Sequence, residues 1–147
     1  MRLIVCLDLN GGMAFNKRRQ TRDAVQRRHM NEVLRGEVLL MSPYSEKLFR
    51  EELTDASIVA DEERYRTLIG AGSEGFEGEW PDNLFVERES VEALLDKADE
   101  IMVYQWNRSY PSDVRFPMER LSAYSKVREE SFAGSSHDDI MFEVYRR

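Results

Sequence analysis

Met1-Arg2-Leu3-Ile4-Val5-Cys6-Leu7-Asp8-Leu9-Asn10-Gly11-Gly12 opens the chain, and within it Leu3 to Leu7 is an unbroken apolar run rich in β-formers. Such a run, closed by a turn signal, suits a strand buried on both faces. Asn10-Gly11-Gly12 supplies the turn, because Asn and Gly accept the positive φ that a sharp reversal demands. A strand covered on both sides needs helices above and below it, so the opening stretch points to an α/β fold. The single positive charge and the very short apolar run ending at Asp8 do not read as a signal peptide.

Outward from that strand, helical and strand signals alternate. Residues 13–20 read as an exposed loop. Thr21 is placed to cap a helix carrying Val25, His29, Met30, Val33 and Leu34, which Gly36 ends. A second strand is predicted over Val38–Met41, stopped by Ser42-Pro43, with Ser45 opening a short helix through Glu52. Ser57–Ala60 reads as a strand and Asp61–Ile69 as a helix closed by Gly70-Ala71-Gly72. Residues 73–81 form the longest predicted loop. A strand at Leu84–Val86 precedes a helix capped by Ser90, with Val91, Leu94, Leu95 and Ala98 on one face. Ile101–Trp106 is the next strand, and Ala123–Glu129 and Ile140–Tyr145 form a closing pair. The pattern predicts a mixed, mainly parallel sheet with helices on both faces and a C-terminal antiparallel hairpin.

The composition narrows the functional classes. A chain of 147 residues with 41% hydrophobic and 33% charged residues suits one soluble domain spanning 1–147. No apolar run approaches the roughly 20 residues that span a bilayer, so no membrane association is expected. Cys6 is the only cysteine, which excludes an intrachain disulfide and suits a reducing, cytoplasmic compartment. In its apolar run it reads as a small buried hydrophobe. The net charge of −7 argues against nucleic acid as a partner. Lys17, Arg18, Arg19, Arg22, Arg27 and Arg28 nevertheless crowd into one basic stretch, which leaves an RNA- or protein-binding module as an alternative. No phosphate-binding glycine loop, zinc-ligand spacing or nucleophile elbow is present, so no metal is expected.

Asp96-Lys97-Ala98-Asp99-Glu100-Ile101, then Asp113-Val114-Arg115-Phe116-Pro117 and Ser136-His137 before the last strand, resemble the dihydrofolate reductase family. The buried first strand, the Gly-containing loop and an acidic residue at the first helix resemble it too. The resemblance implies a dihydrofolate reductase-like fold. It also implies that Asp23 stands where the family's carboxylate binds and protonates a pterin ring, a role suited to a carboxyl in an apolar cleft. The residues themselves offer a structural reading as well, since Asp23 would be stabilised by the helix dipole and by nearby arginines.

On the cofactor side the sequence departs from that family. Where such reductases carry paired glycines after the central strand, this chain has Val86-Glu87-Arg88-Glu89. Carboxylates there repel phosphate, and side chains obstruct close approach of the backbone. The family's Gly-Arg-x-Thr-like step is replaced by Ser42-Pro43-Tyr44-Ser45, in which only Ser45 offers a hydroxyl. Ordinary NADPH binding is therefore not expected. Phe15-Asn16-Lys17-Arg18-Arg19-Gln20-Thr21-Arg22-Asp23 and the segment from Lys126 to Tyr145 also resemble a small bacterial group labelled ribonuclease Z. Two-zinc phosphodiester hydrolysis needs a histidine-rich cluster, and this chain has only His29 and His137.

Tyr104, Trp106 and Tyr110 surround Asn107-Arg108 at the end of the strongest strand, a set suited either to stacking on a planar ring or to core packing. Glu87, Arg88 and Glu89 lie at a strand C-terminus, where open α/β sheets bind ligands. His29 reads as a packed, hydrogen-bonded residue and His137 as solvent-facing. These readings converge on a small planar or anionic ligand held by Arg18, Arg19, Arg22 and Asp23, in a monomer or homodimer. An active NADPH-dependent reductase with a changed cofactor pocket is the enzymatic alternative.

Overall fold

The computed structural model describes all 147 residues. Its elements are β1 (Arg2–Leu7), β2 (Gly12–Phe15), β3 (Arg18–Arg19), α1 (Ala24–Val33), β4 (Val38–Leu40), α2 (Pro43–Phe49), β5 (Ser57–Val59) and α3 (Glu62–Gly75). They continue with β6 (Asn83–Phe85), a 3-10 turn at Glu92–Lys97, β7 (Glu100–Gln105), β8 (Val114–Arg115), a second 3-10 turn at Met118–Ala123, β9 (Ser125–Phe132) and β10 (Ile140–Arg146). Seven strands form the main sheet in the order β5-β4-β6-β1-β7-β10-β9. β1 runs parallel to β6 and β7, and β4 parallel to β5 and β6. β10 is antiparallel to both β7 and β9, so the chain closes in a hairpin at one edge.

The alternation along β1 divides the core. Leu3, Val5 and Leu7 face one layer, where Tyr65 and Leu68 of α3 meet Leu94 and Leu95. Ile4 faces the other, where Met30 of α1 and Leu34 just beyond it meet Phe49 of α2, Phe85 and Tyr104. Leu3, Ile4, Val5 and Leu7 of β1 are fully buried, as its continuous apolar run requires, since water solvates neither face there.

Several local expectations are corrected. Residues 13–20 are not an open loop: β2 and β3 pair as a hairpin and β8 joins them in a separate three-stranded sheet. Asn16 and Lys17 both have positive φ, 55° and 63°, which gives the tight reversal whose twist matches that of the strands. The first helix is capped by Asp23 rather than Thr21, and α2 by Ser42 rather than Ser45. Pro43 follows Ser42 at the start of α2, where its missing N–H costs nothing. The helix that opens α3 is interrupted at Gly72, as the Gly70-Ala71-Gly72 stop predicts, since its φ of 72° and ψ of −172° are not helical, and a short further turn follows to Gly75. The stretch after Ser90 is a 3-10 turn rather than an α-helix, with the Glu92 amide donating to the Ser90 hydroxyl at 3.5 Å.

Candidate functional site

Asp23 sits at the amino end of α1, and its side chain is fully buried. One carboxylate oxygen accepts from the Val25 and Gln26 amides at 2.9 and 3.2 Å and from the Ser135 amide at 3.0 Å. The other accepts from the Ser136 amide at 2.7 Å and faces His137 Nδ1 at 3.0 Å. Burial alone would raise this carboxyl, but the Ser135 and Ser136 amides and His137 outweigh it and hold Asp23 far below the ordinary carboxylate range. Its acceptor capacity is thus spent on tying the β9–β10 connection to the start of α1.

His137 is buried, not solvent-facing, with 3% of its surface exposed. The sequence offered no sign of this, because its neighbours Ser135, Ser136, Asp138 and Asp139 are all exposed. In its neutral form, with Nδ1–H directed at Asp23, Nε2 accepts from the hydroxyls of Tyr110 at 3.0 Å and Thr21 at 3.3 Å. Its ring stacks on Trp106 at 4.6 Å. His29 is held by the Tyr104 hydroxyl at 2.8 Å and by Glu130, and stacks on Phe132.

Glu87 follows β6 and is 93% buried, with 7% exposed. Arg19 donates to it twice, Nε to Oε2 at 2.9 Å and Nη2 to Oε1 at 3.0 Å, and the Ser45 hydroxyl donates to Oε1 at 2.7 Å. The guanidinium groups of Arg19 and Arg88 both lie over the Tyr44 ring, at 4.3 and 3.7 Å from its centroid. Arg88 also donates to the Lys17 carbonyl. Arg19, Ser45, Glu87 and Arg88 therefore form one cluster around Tyr44 and the start of α2.

The remaining sequence-chosen residues are dispersed. Tyr104 is a core residue, its hydroxyl pushed well up by burial. Asn107 donates to the Asp139 carbonyl and carboxylate, and Arg108 is exposed and faces Asp138 at 3.9 Å. Arg18 is exposed on β3. Of that aromatic group only Trp106 reaches a cavity. It lines a narrow crevice of about 10 Å³ with Cys6, Met13, Gln26, Phe49 and Glu87. That volume suffices for about one water molecule. From α1 it is Gln26 and Arg27, not Asp23, that line the crevice.

An open cleft lies alongside, between α1, α2 and the Ser135-Ser136 turn. Its volume is about 650 Å³, and Arg19, Arg22, Arg27 and Lys47 all line it, opposed by Glu51. A volume in this range matches small-molecule sites. Arg27 is 7% exposed. It donates from Nη2 to Glu52 at 2.8 Å, while its buried Nε and Nη1 have no partner. Arg22 and Lys47 are exposed and form no ion pair. Sequence reading missed Arg27 and Lys47 as site residues. One was absorbed into a basic stretch, and the other stands alone in a short helix.

No protein-family model and no curated protein matches the sequence. Among solved structures the fold is similar to a dihydrofolate reductase from Enterococcus faecalis complexed with NADP(H) and RAB-propyl. The superposition has a TM-score of 0.62 at 11% identity and covers 99% of this chain and 95% of that one. The comparisons give no support to a likeness to ribonuclease Z, and no group of three or more His, Cys, Asp or Glu side chains is placed to hold a metal ion. No helix is long and apolar enough to cross a membrane. The sheet order, the parallel centre and the terminal antiparallel hairpin, together with the full-length superposition, make this a dihydrofolate reductase-like fold.

Proposed function

We propose that this domain binds a small anionic ligand in the cleft between α1 and α2 and does so without NADPH. The observation that carries the reading is the convergence of Arg19, Arg22, Arg27 and Lys47 on one open cleft, with two buried nitrogens of Arg27 left unpartnered. A buried guanidinium whose only acceptor is Glu52 keeps much of its charge uncompensated, which an anion in the cleft beside it would offset. Arg22 and Lys47, free of carboxylate partners, supply the field that draws an anion in.

The residues at the end of β6 do not fit a dinucleotide. The Glu87 carboxylate lies against Ser45 and Arg19, the groups there best suited to phosphate oxygens. A pyrophosphate would meet this carboxylate at close range. Asp23, with its oxygens occupied by backbone amides, holds the fold of the cleft wall and is not a proton donor to a ligand.

Thermal unfolding with inorganic pyrophosphate or NADPH tests both halves of the reading, since a ligand of the native state raises its stability. Pyrophosphate is expected to raise the midpoint saturably, with an effect that weakens at high salt. NADPH competing for no common site and binding tightly at the β6 end would contradict the cofactor half. The absence of any pyrophosphate effect would contradict the anion half.

A further inference from the structure

The open basic cleft and the narrow crevice share Arg19, Arg22, Arg27 and Leu48 as lining residues. Arg19 stands out among them, because both ends of its fork are committed to Glu87, which lines the crevice alone. It belongs to β3, a strand of two residues paired only with β2. Its guanidinium rests over the Tyr44 ring, and Tyr44 lines the open cleft. A flat cation on an aromatic face keeps that contact while it shifts across the ring.

We propose that Arg19 is a latch: an anion of two or more charges entering the α1–α2 cleft draws its guanidinium off Glu87, and the crevice behind it opens to the ligand. The proposal rests on the anion-binding reading above and adds the class of ligand and the regulation of its entry. A singly charged carboxylate would only replace the carboxylate of Glu87 and leave that group buried with Ser45 as its sole partner. Pyrophosphate or a phosphate ester meets Arg22, Arg27 and Lys47 as well, which offsets the broken pair. The crevice is walled by Met13, Phe49 and Trp106, so it would admit an apolar or planar group attached to the anion.

Cys6 reports directly on the latch, because it is the only thiol of the chain and lines the crevice. Cys6 is partly buried, so the change in its reaction rate with iodoacetamide on adding ligand, followed at fixed pH, measures the change in access to the crevice. Saturating inorganic pyrophosphate is expected to speed that reaction at least tenfold while raising the unfolding midpoint, and acetate to do neither. Labelling through global unfolding would slow as the midpoint rose, so the two effects together identify local opening. Glu87→Gln, which removes the internal competitor, should lower the half-saturating pyrophosphate concentration at least tenfold. Glu51→Gln, which removes a cleft carboxylate not paired with Arg19, should lower it less than threefold. A raised midpoint with unchanged or slower labelling would overturn the latch and leave the anion site standing. Equal effects of the two substitutions would overturn it as well. No rise in midpoint would overturn the anion site and the latch together.

Discussion

Asp23 shows how a single carboxylate can be claimed by structure. As the cap of α1 it occupies the first-turn amides, and as acceptor for Ser135, Ser136 and His137 it fixes a connection more than 100 residues away in sequence. Asp23→Ala would leave several buried donors unsatisfied, and about 3 kcal/mol of stability should be lost, measured by urea unfolding at pH 7. The same residue fixes a pH dependence. Its carboxyl is depressed in the folded state relative to the ordinary value of 3.8. The ionised form is therefore favoured by folding, and its stabilisation is fully present above the ordinary carboxylate range. It is lost as pH falls below that range towards the folded-state value. The wild-type chain should lose stability between pH 5 and pH 2 more steeply than Asp23→Ala, to the order of 2 kcal/mol, as read from unfolding curves across that interval. The position of Asp23 at the start of a helix was legible from spacing. Its burial was not, because the partners that cover it come from the far end of the chain.

At the scale of elements, the sequence was most informative where burial imposes a simple pattern. The two-sided burial of β1 and β7 writes itself as continuous apolar runs, and β10 is found close to its predicted bounds. The β2–β3 hairpin escaped notice because its strands are short and only Met13 and Ala14 face inward, while Phe15, Asn16, Lys17 and Arg18 are exposed. Its turn carries a specific consequence. Lys17 holds a φ of 63°, which a side chain with a Cβ adopts at a cost. Lys17→Gly, creating an Asn-Gly turn, should raise stability by about 1 kcal/mol, visible as a higher unfolding midpoint. Gly72 behaves in the opposite sense. At φ 72° its missing Cβ leaves room for Ala93, whose own Cβ would lie only 2.9 Å away. Gly72→Ala should therefore cost about 2 kcal/mol by the same measurement, from backbone strain and from forcing α3 off the 92–97 turn. The glycine was visible in the sequence as a helix stop. The packing against Ala93 adds a second reason for glycine at that break.

For the whole molecule, the arrangement of strands places β1, β4, β6 and β7 with their carboxyl ends on one side of the sheet, where open α/β folds gather ligands. The main sheet and its closing hairpin were legible from alternating signals and the terminal strand pair, whereas the separate β3-β2-β8 sheet was not. The cleft was legible only in part. Arg19 and Arg22 were chosen from the basic stretch, yet their companions Arg27 and Lys47 sit on two different helices that only the fold brings together. Conversely, Asn107 and Arg108 looked like ligand contacts, but they join the turn before β10 to the end of β7. Glu87 carries the strongest link between the sequence and the proposed function. A carboxylate at that position would oppose a phosphate, and it is buried in a two-fold hydrogen-bonded pair with Arg19 beside the narrow crevice.

The most direct test of the anion cleft is calorimetric titration of the intact protein and of Arg27→Gln with inorganic pyrophosphate at low ionic strength. One saturable site per chain is expected, weakened at least tenfold by the substitution while the far-ultraviolet circular dichroism stays the same. Equal binding by both proteins, or none by either, would contradict the assignment.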